Sequence, residues 1–152
     1  MRARSITHAT FSIERAYAAP PAKVFAAFAD ARQKAQWFVG PEGWEKSDFT
    51  SEFRIGGKES VSGGPPGGPV HRYDGVYWDI VEDARIVIGY DMHLDSQRIS
   101  VSLGATEIRP DGAGSRLRYT EQGMFLDGFD DPAQRERGTQ ELFDQLDAFL
   151  MR

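Results

Sequence analysis

The chain has 152 residues, 40% hydrophobic and 12% aromatic, which suits one globular domain spanning 1–152 with a real core and excludes a disordered protein. Its formal net charge is −5 and its Lys and Arg are scattered, so no basic stripe exists to neutralise phosphates and nucleic acid is not an expected partner. With no cysteine and no apolar run of signal or membrane-spanning length, disulfides and thiolate chemistry are out, and a cytoplasmic protein without membrane contact is expected.

The first element is a strand over Thr10 to Tyr17, where Phe11, Ile13 and Tyr17 share one parity. Pro20 and Pro21 end it. Val24, Phe25 and Phe28 then mark one face of a short helix whose first turn tolerates proline, because those N–H groups lack intrahelical partners. Asp30 reads as the N-cap of a second short helix, with Gln33 three residues on as in a capping box, and this helix ends in Trp37-Phe38 before Gly40-Pro41.

From Lys46 the period changes to two. Candidate strands are Lys46 to Arg54, Lys58 to Ser62, Val70 to Val81, Ile86 to Leu94, Arg98 to Ile108 and Ser115 to Gly123, making about seven with the first. Their connections are short, which predicts antiparallel neighbours, since a parallel crossover needs a dozen or more residues. Gly63 to Pro69 is expected to leave the ladder as an exposed loop, a long hairpin connection or a flap at a cavity mouth.

Asp131-Pro132 supplies the N-cap and first position of a closing helix over Pro132 to Arg152. Its stripe is Leu142, Phe143, Leu146, Phe149 and Leu150. An amphipathic helix after an antiparallel meander buries that stripe against the inner face of the sheet, and a curved sheet covered in this way encloses a cavity. Gly138, inside the helix, allows a close approach of the sheet, leaves room for a ligand or marks a local break.

This order of elements resembles the helix-grip fold of the START-like, polyketide-cyclase and birch-pollen-allergen superfamily. Several segments are similar to the branch named after the activator of the heat-shock-protein-90 ATPase: Phe11 to Tyr17 with Pro20 to Phe25, Trp37 to Pro41, Phe53 to Gly57, Tyr73 to Val81, Asp91 to Asp95, Tyr119 to Gly123 and Arg137 to Leu142. The resemblance implies an α+β fold: a strongly curved antiparallel sheet wrapped around a long C-terminal helix, with two short helices after the first strand. The wider superfamily includes lipid, hormone and polyketide binders and some cyclases. A chaperone role does not follow from the branch name.

Strand parity nominates the side chains under the helix. The expected inward sets are Ile86, Ile88, Tyr90 and Met92; Ile99, Val101, Leu103 and Ala105; and Leu117, Tyr119 and Glu121. Glu121 is the anomaly, because a carboxylate on an apolar face costs on the order of 1–3 kcal/mol or more unless paired, protonated or wet. Either it lies at a strand end, open to solvent or switched by a bulge, or it is a carboxyl inside the cavity and the candidate catalytic acid or base. Tyr73 and Tyr77 oppose Val76, Trp78 and Ile80, and parity alone does not settle which set faces in. Trp37, Phe38 and Trp44 either pack the helix pair under the sheet, the first expectation for each, or form the floor or rim of the opening.

The candidate ligand-binding residues are therefore Trp37, Phe38, Tyr77, Tyr90, Met92, Leu103, Tyr119, Glu121 and Leu142. The histidines, His8, His71 and His93, lack metal-ligand spacing, so neither a metal nor a cofactor is expected. A small apolar or aromatic molecule is the expected partner, and an exposed edge strand makes a homodimer plausible. A binding protein is the first functional expectation. A cyclase- or hydratase-type enzyme using Glu121 or a cavity tyrosine is the second, and a stress- or chaperone-associated interaction module the third.

Overall fold

The computed structural model describes residues 3–152. Its elements are β1 (Ile6–Tyr17), α1 (Pro21–Ala29), α2 (Ala31–Trp37), β2 (Glu45–Lys46), β3 (Thr50–Ser51), β4 (Lys58–Gly64), β5 (His71–Val81), β6 (Arg85–Leu94), β7 (Gln97–Asp111), β8 (Gly114–Leu126) and α3 (Pro132–Leu150). All eight strands join one antiparallel sheet in the order β1-β8-β7-β6-β5-β4-β2, with β3 also pairing β4. None of the described helices is long and apolar enough to cross a membrane.

Local chemistry sets the helix ends as expected. Asp30 accepts from the backbone N–H of Arg32 and Gln33 to open α2, and Asp131 accepts from that of Ala133 to open α3. Side chains from α1, α2 and the C-terminal half of α3 (Val24, Phe25, Phe28, Trp37, Phe143, Leu146 and Leu150) meet Ile13, Ile86, Ile108 and Leu117 of the sheet in one buried core. That core fills only part of the concave face.

Three sequence expectations need correction, and two left open are settled. The strand expected over Lys46 to Arg54 is two short pieces: the chain leaves the ladder between β2 and β3, and there Phe49 packs edge-on against Phe38. Gly63 and Gly64 do not leave the ladder, for Gly63 pairs with both His71 and Lys46 and Gly64 pairs with Glu45, so the turn is confined to the residues beyond.

The parity expected for the strand over Arg98 to Ile108, which is β7, is inverted. Val101 and Leu103 face outward, 37% and 51% exposed, while Ser100, Ser102, Gly104, Thr106 and Ile108 face inward. The cause is a bulge: Met92 pairs with Ser100 but His93 with Arg98, so Ile99 is the extra residue and is buried out of step with its neighbours. A second bulge settles β5. Tyr77 pairs with Ile88 and Asp79 with Val87, which leaves Trp78 extra and 63% exposed, while Tyr73, Tyr77 and, past the bulge, Ile80 face inward.

Finally, Gly138 makes no close approach. A methyl group built there meets nothing within 4 Å, because this part of α3 stands off the sheet.

The register predicts unequal costs at similar residues. Leu103→Ser changes stability by less than about 0.5 kcal/mol, as at an ordinary surface site, whereas Leu117→Ala costs about 2–5 kcal/mol; urea unfolding of both variants checks this. Gly138→Ala raises stability by about 0.5–1 kcal/mol in the same measurement, since the new methyl strikes nothing and the helix gains propensity.

Candidate functional site

Beside the core, the sheet and the N-terminal half of α3 enclose an open hollow of about 1100 Å³. Its walls include Phe38, Phe53, Ile88, Met92 and Leu142, with polar groups from several elements converging among them. Beside the hollow the inner face of β7 carries mostly small side chains, Ser100, Ser102, Gly104 and Thr106. Neighbouring glycines let rings lie flat on the sheet: a methyl at Gly104 would sit 2.5 Å from the Tyr119 hydroxyl, and one at Gly123 would sit 2.9 Å from the Phe125 ring.

Two polar clusters face this space. In the first, Lys34 of α2 donates to both carboxylate oxygens of Glu59 on β4, at 2.9 and 2.8 Å. Tyr73 donates to Oε2 at 2.6 Å, and Tyr77 donates to Oε1 while contacting Ser51 Oγ at 3.0 Å. Glu59 lies opposite Gly75, which has no side chain, so its carboxylate extends between the diagonal neighbours Tyr73 and Tyr77. Burial, and then the Glu59 charge they donate to, raise both phenols well above the ordinary value. Lys34 also lies 4.7 Å over the Phe38 ring.

In the second cluster, Glu121 lies in mid-strand on the inner face, paired with Gly104 and Phe11 and 1% exposed. The strand-end alternative fails because β8 runs on to Leu126. Tyr119 donates to Glu121 Oε1 at 2.6 Å, while Oε2 is buried without a hydrogen-bond partner. Arg135 of α3 donates to Tyr90 at 3.2 Å, Ser100 Oγ at 2.8 Å and Asp130 at 2.5 Å, and lies 3.9 Å from Glu121 Oε2. Burial raises the Glu121 carboxyl above the ordinary 4.5, with the Tyr119 and Tyr90 hydroxyls and the Arg135 charge opposing. The Tyr73 and Tyr90 rings, 5.0 Å apart, join the two clusters.

Of the residues nominated from sequence, Trp37, Phe38, Tyr77, Tyr90, Met92, Tyr119, Glu121 and Leu142 line the hollow. Leu103 does not: it lies on the outer face, where its side chain neighbours Gly89 and Trp78. Trp37 is mainly a floor residue, its indole N–H bonded to the Ala27 carbonyl and its ring edge-on to Phe28. Trp44 stacks on His71 with ring centres 4.7 Å apart, and both line the hollow. Sequence reasoning missed Lys34, Glu59 and Arg135. A signal for the last existed, since Arg135 and Thr139 continue the Leu142–Leu146 stripe backward at helical spacing.

Asp74, Asp91 and His93 offer ligand atoms within 4.8 Å of one another on the outer face. Arg72 and Arg98 already pair with the two aspartates. That pairing gives the group an ordinary role as surface ion pairs.

Two stability predictions follow from the clusters. Lys34→Met strands the Glu59 charge and costs about 3–5 kcal/mol, and pairing it with Glu59→Gln recovers part of that loss in urea unfolding. For Glu121 the folded value stands above the unfolded one, so the native state keeps a proton the unfolded chain has released. Its stabilisation is complete below about pH 4.5 and is lost as pH rises through the folded value. Glu121→Gln therefore gains on the parent protein steadily as pH rises from there, in unfolding measured across pH; a constant difference would refute the assignment.

A profile of the family described as Activator of Hsp90 ATPase homolog 1-like protein matches residues 18–151. A protein of Rhizobium leguminosarum is 41% identical over 99% of both chains, with a TM-score of 0.93. Mll3558 of Rhizobium loti is 44% identical over 95% of this chain and 99% of its own, with a TM-score of 0.88. CV1439 of Chromobacterium violaceum is 25% identical over 94% and 97%, with a TM-score of 0.77. No functionally curated protein matches. The curved sheet, the early helix pair and the closing helix agree with the family's fold, and the chain belongs to the Activator of Hsp90 ATPase homolog 1-like family.

Proposed function

We propose that this protein binds a small apolar or aromatic molecule in the hollow between the sheet and α3. The observation that carries the reading is the hollow itself: about 1100 Å³, walled largely by aromatic and aliphatic side chains, with polar and charged groups among them. Trp37, Phe38, Tyr77, Tyr90, Met92, Tyr119 and Leu142 would contact the ligand, and Glu121 would anchor it. A protein-docking module has no need of an interior left unfilled, so the hollow favours the small-molecule reading over that one.

A second reading, proton-transfer catalysis of the cyclase or hydratase kind, is favoured by one specific observation. The Glu121 carboxyl is buried in the wall of the hollow, its value is raised by burial, and one of its oxygens is unengaged. In that case Glu121→Gln abolishes turnover and leaves binding largely intact; equal loss of both counts against it.

The binding reading is tested by native mass spectrometry of protein purified without additives, where a co-purifying small molecule is expected. Met92→Trp, which sends an indole into the hollow from a half-buried position, weakens binding of the neutral dye N-phenyl-1-naphthylamine about tenfold with an unchanged far-ultraviolet dichroism spectrum. Unaltered dye affinity would place the dye elsewhere and remove the support.

A further inference from the structure

The two polar clusters differ in one respect. Glu59 accepts hydrogen bonds at both oxygens and is fully engaged. The Glu121 cluster is not: Glu121 Oε2 and Ser102 Oγ are both buried without a partner. They belong to one neighbourhood. Ser102 sits directly opposite Tyr90 on one side and Gly123 on the other, which places it diagonal to Glu121 on the same inner face. A buried polar atom left unpaired costs about 1–3 kcal/mol, and a ligand atom that engages it recovers that cost on binding.

The surrounding groups define which ligand atom fits. Tyr119 occupies Glu121 Oε1, so Oε2 is the oxygen left to act. Tyr90 accepts from Arg135, and its own hydrogen, which otherwise turns toward Glu121, is the one a ligand acceptor would take. Arg135 stands 3.9 Å from Oε2 and is neutralised by Asp130. The hydroxyls and the guanidinium thus offer donors, and a protonated Glu121 adds one more.

Charge narrows the class. A carboxylate ligand would bring a second anion beside Asp130, which already engages the Arg135 guanidinium, and an ammonium would face that guanidinium. A neutral acceptor meets neither obstacle.

We propose that the ligand is an apolar molecule whose polar end is a neutral carbonyl oxygen, seated against Glu121 Oε2, the Tyr90 hydroxyl and the Arg135 guanidinium. This rests on the small-molecule reading above and names the chemistry of that same site. Burial holds the Glu121 proton to higher pH than usual, in keeping with a donor role. The groups facing that carboxyl are Tyr119 on its own strand, Tyr90 from β6, and Arg135 with Asp130 from α3 and the turn before it. Glu121 then binds the carbonyl as an acid, and binding weakens as pH rises and the proton leaves.

Three probes of one shape test this by fluorescence titration: 2-acetylnaphthalene, 2-isopropylnaphthalene and 2-naphthoate. The ketone is expected to bind about tenfold more tightly than the hydrocarbon, the worth of a hydrogen bond or two to otherwise unpaired groups. Tyr90→Phe erases most of that advantage, read as the ratio of ketone to hydrocarbon affinity within the variant. Glu121→Gln keeps the advantage and removes its pH dependence, because an amide N–H donates at any pH.

Equal affinity for ketone and hydrocarbon overturns the carbonyl assignment and leaves the small-molecule reading standing. Tightest binding of naphthoate, or ketone affinity that rises with pH, also overturns it, since either makes the site something other than a neutral acceptor's. No binding of any of the three probes would count against both readings.

Discussion

The structure depends on how little side chain the inner face of β7 carries. Ser100, Ser102, Gly104 and Thr106 take successive inward positions on a central strand, where a filled interior would need branched aliphatic groups. Close packing of a helix onto a sheet is a volume requirement, and small residues on one side cannot be made up by the stripe of a single helix. The C-terminal half of α3 reaches the core through Phe143, Leu146 and Leu150, while its N-terminal half, with Arg135 and Gly138, stands over open space. The glycines at 104 and 123 extend the effect by letting Tyr119 and Phe125 lie against backbone.

The same feature explains which parts of the sequence were readable. Element order, the Asp30 and Asp131 caps and the parities of β1, β6 and β8 were legible, because there apolar residues do face the interior. On β7 the rule that apolar means inward gave the wrong face: Val101 and Leu103 are exposed, and the small polar residues are buried on the inner face. Neither bulge had a sequence signal, since Trp78 and Ile99 are ordinary strand residues whose extra count shows only in the pairing. Glu121 was legible as an anomaly, and its position in mid-strand became clear only once β8 was seen to continue past Gly123. Lys34 and Glu59 were hidden because a buried ion pair joins elements far apart in sequence, and single-strand periodicity carries no record of its partner.

The two buried clusters illustrate two uses of polar groups in an apolar setting. Lys34, Glu59 and the two tyrosines satisfy one another and fasten α2 to β4 and β5. A closed network of this kind costs desolvation and returns it through charge-assisted hydrogen bonds. Around Glu121 the accounts stay open: Asp130 and Tyr90 engage Arg135, yet a carboxyl oxygen and a serine hydroxyl are left over.

The three tryptophans fall in three different settings. Trp37 is buried at the floor of the hollow, Trp44 is half-exposed and stacked on an imidazole where the hollow begins, and Trp78 projects into solvent from the opposite side of the sheet. The intrinsic emission of the chain is thus a sum of a blue, a partly quenched and a red component. Acrylamide reaches Trp78 first and Trp37 last, so the molecule carries native optical reporters that separate global unfolding from events confined to its opening.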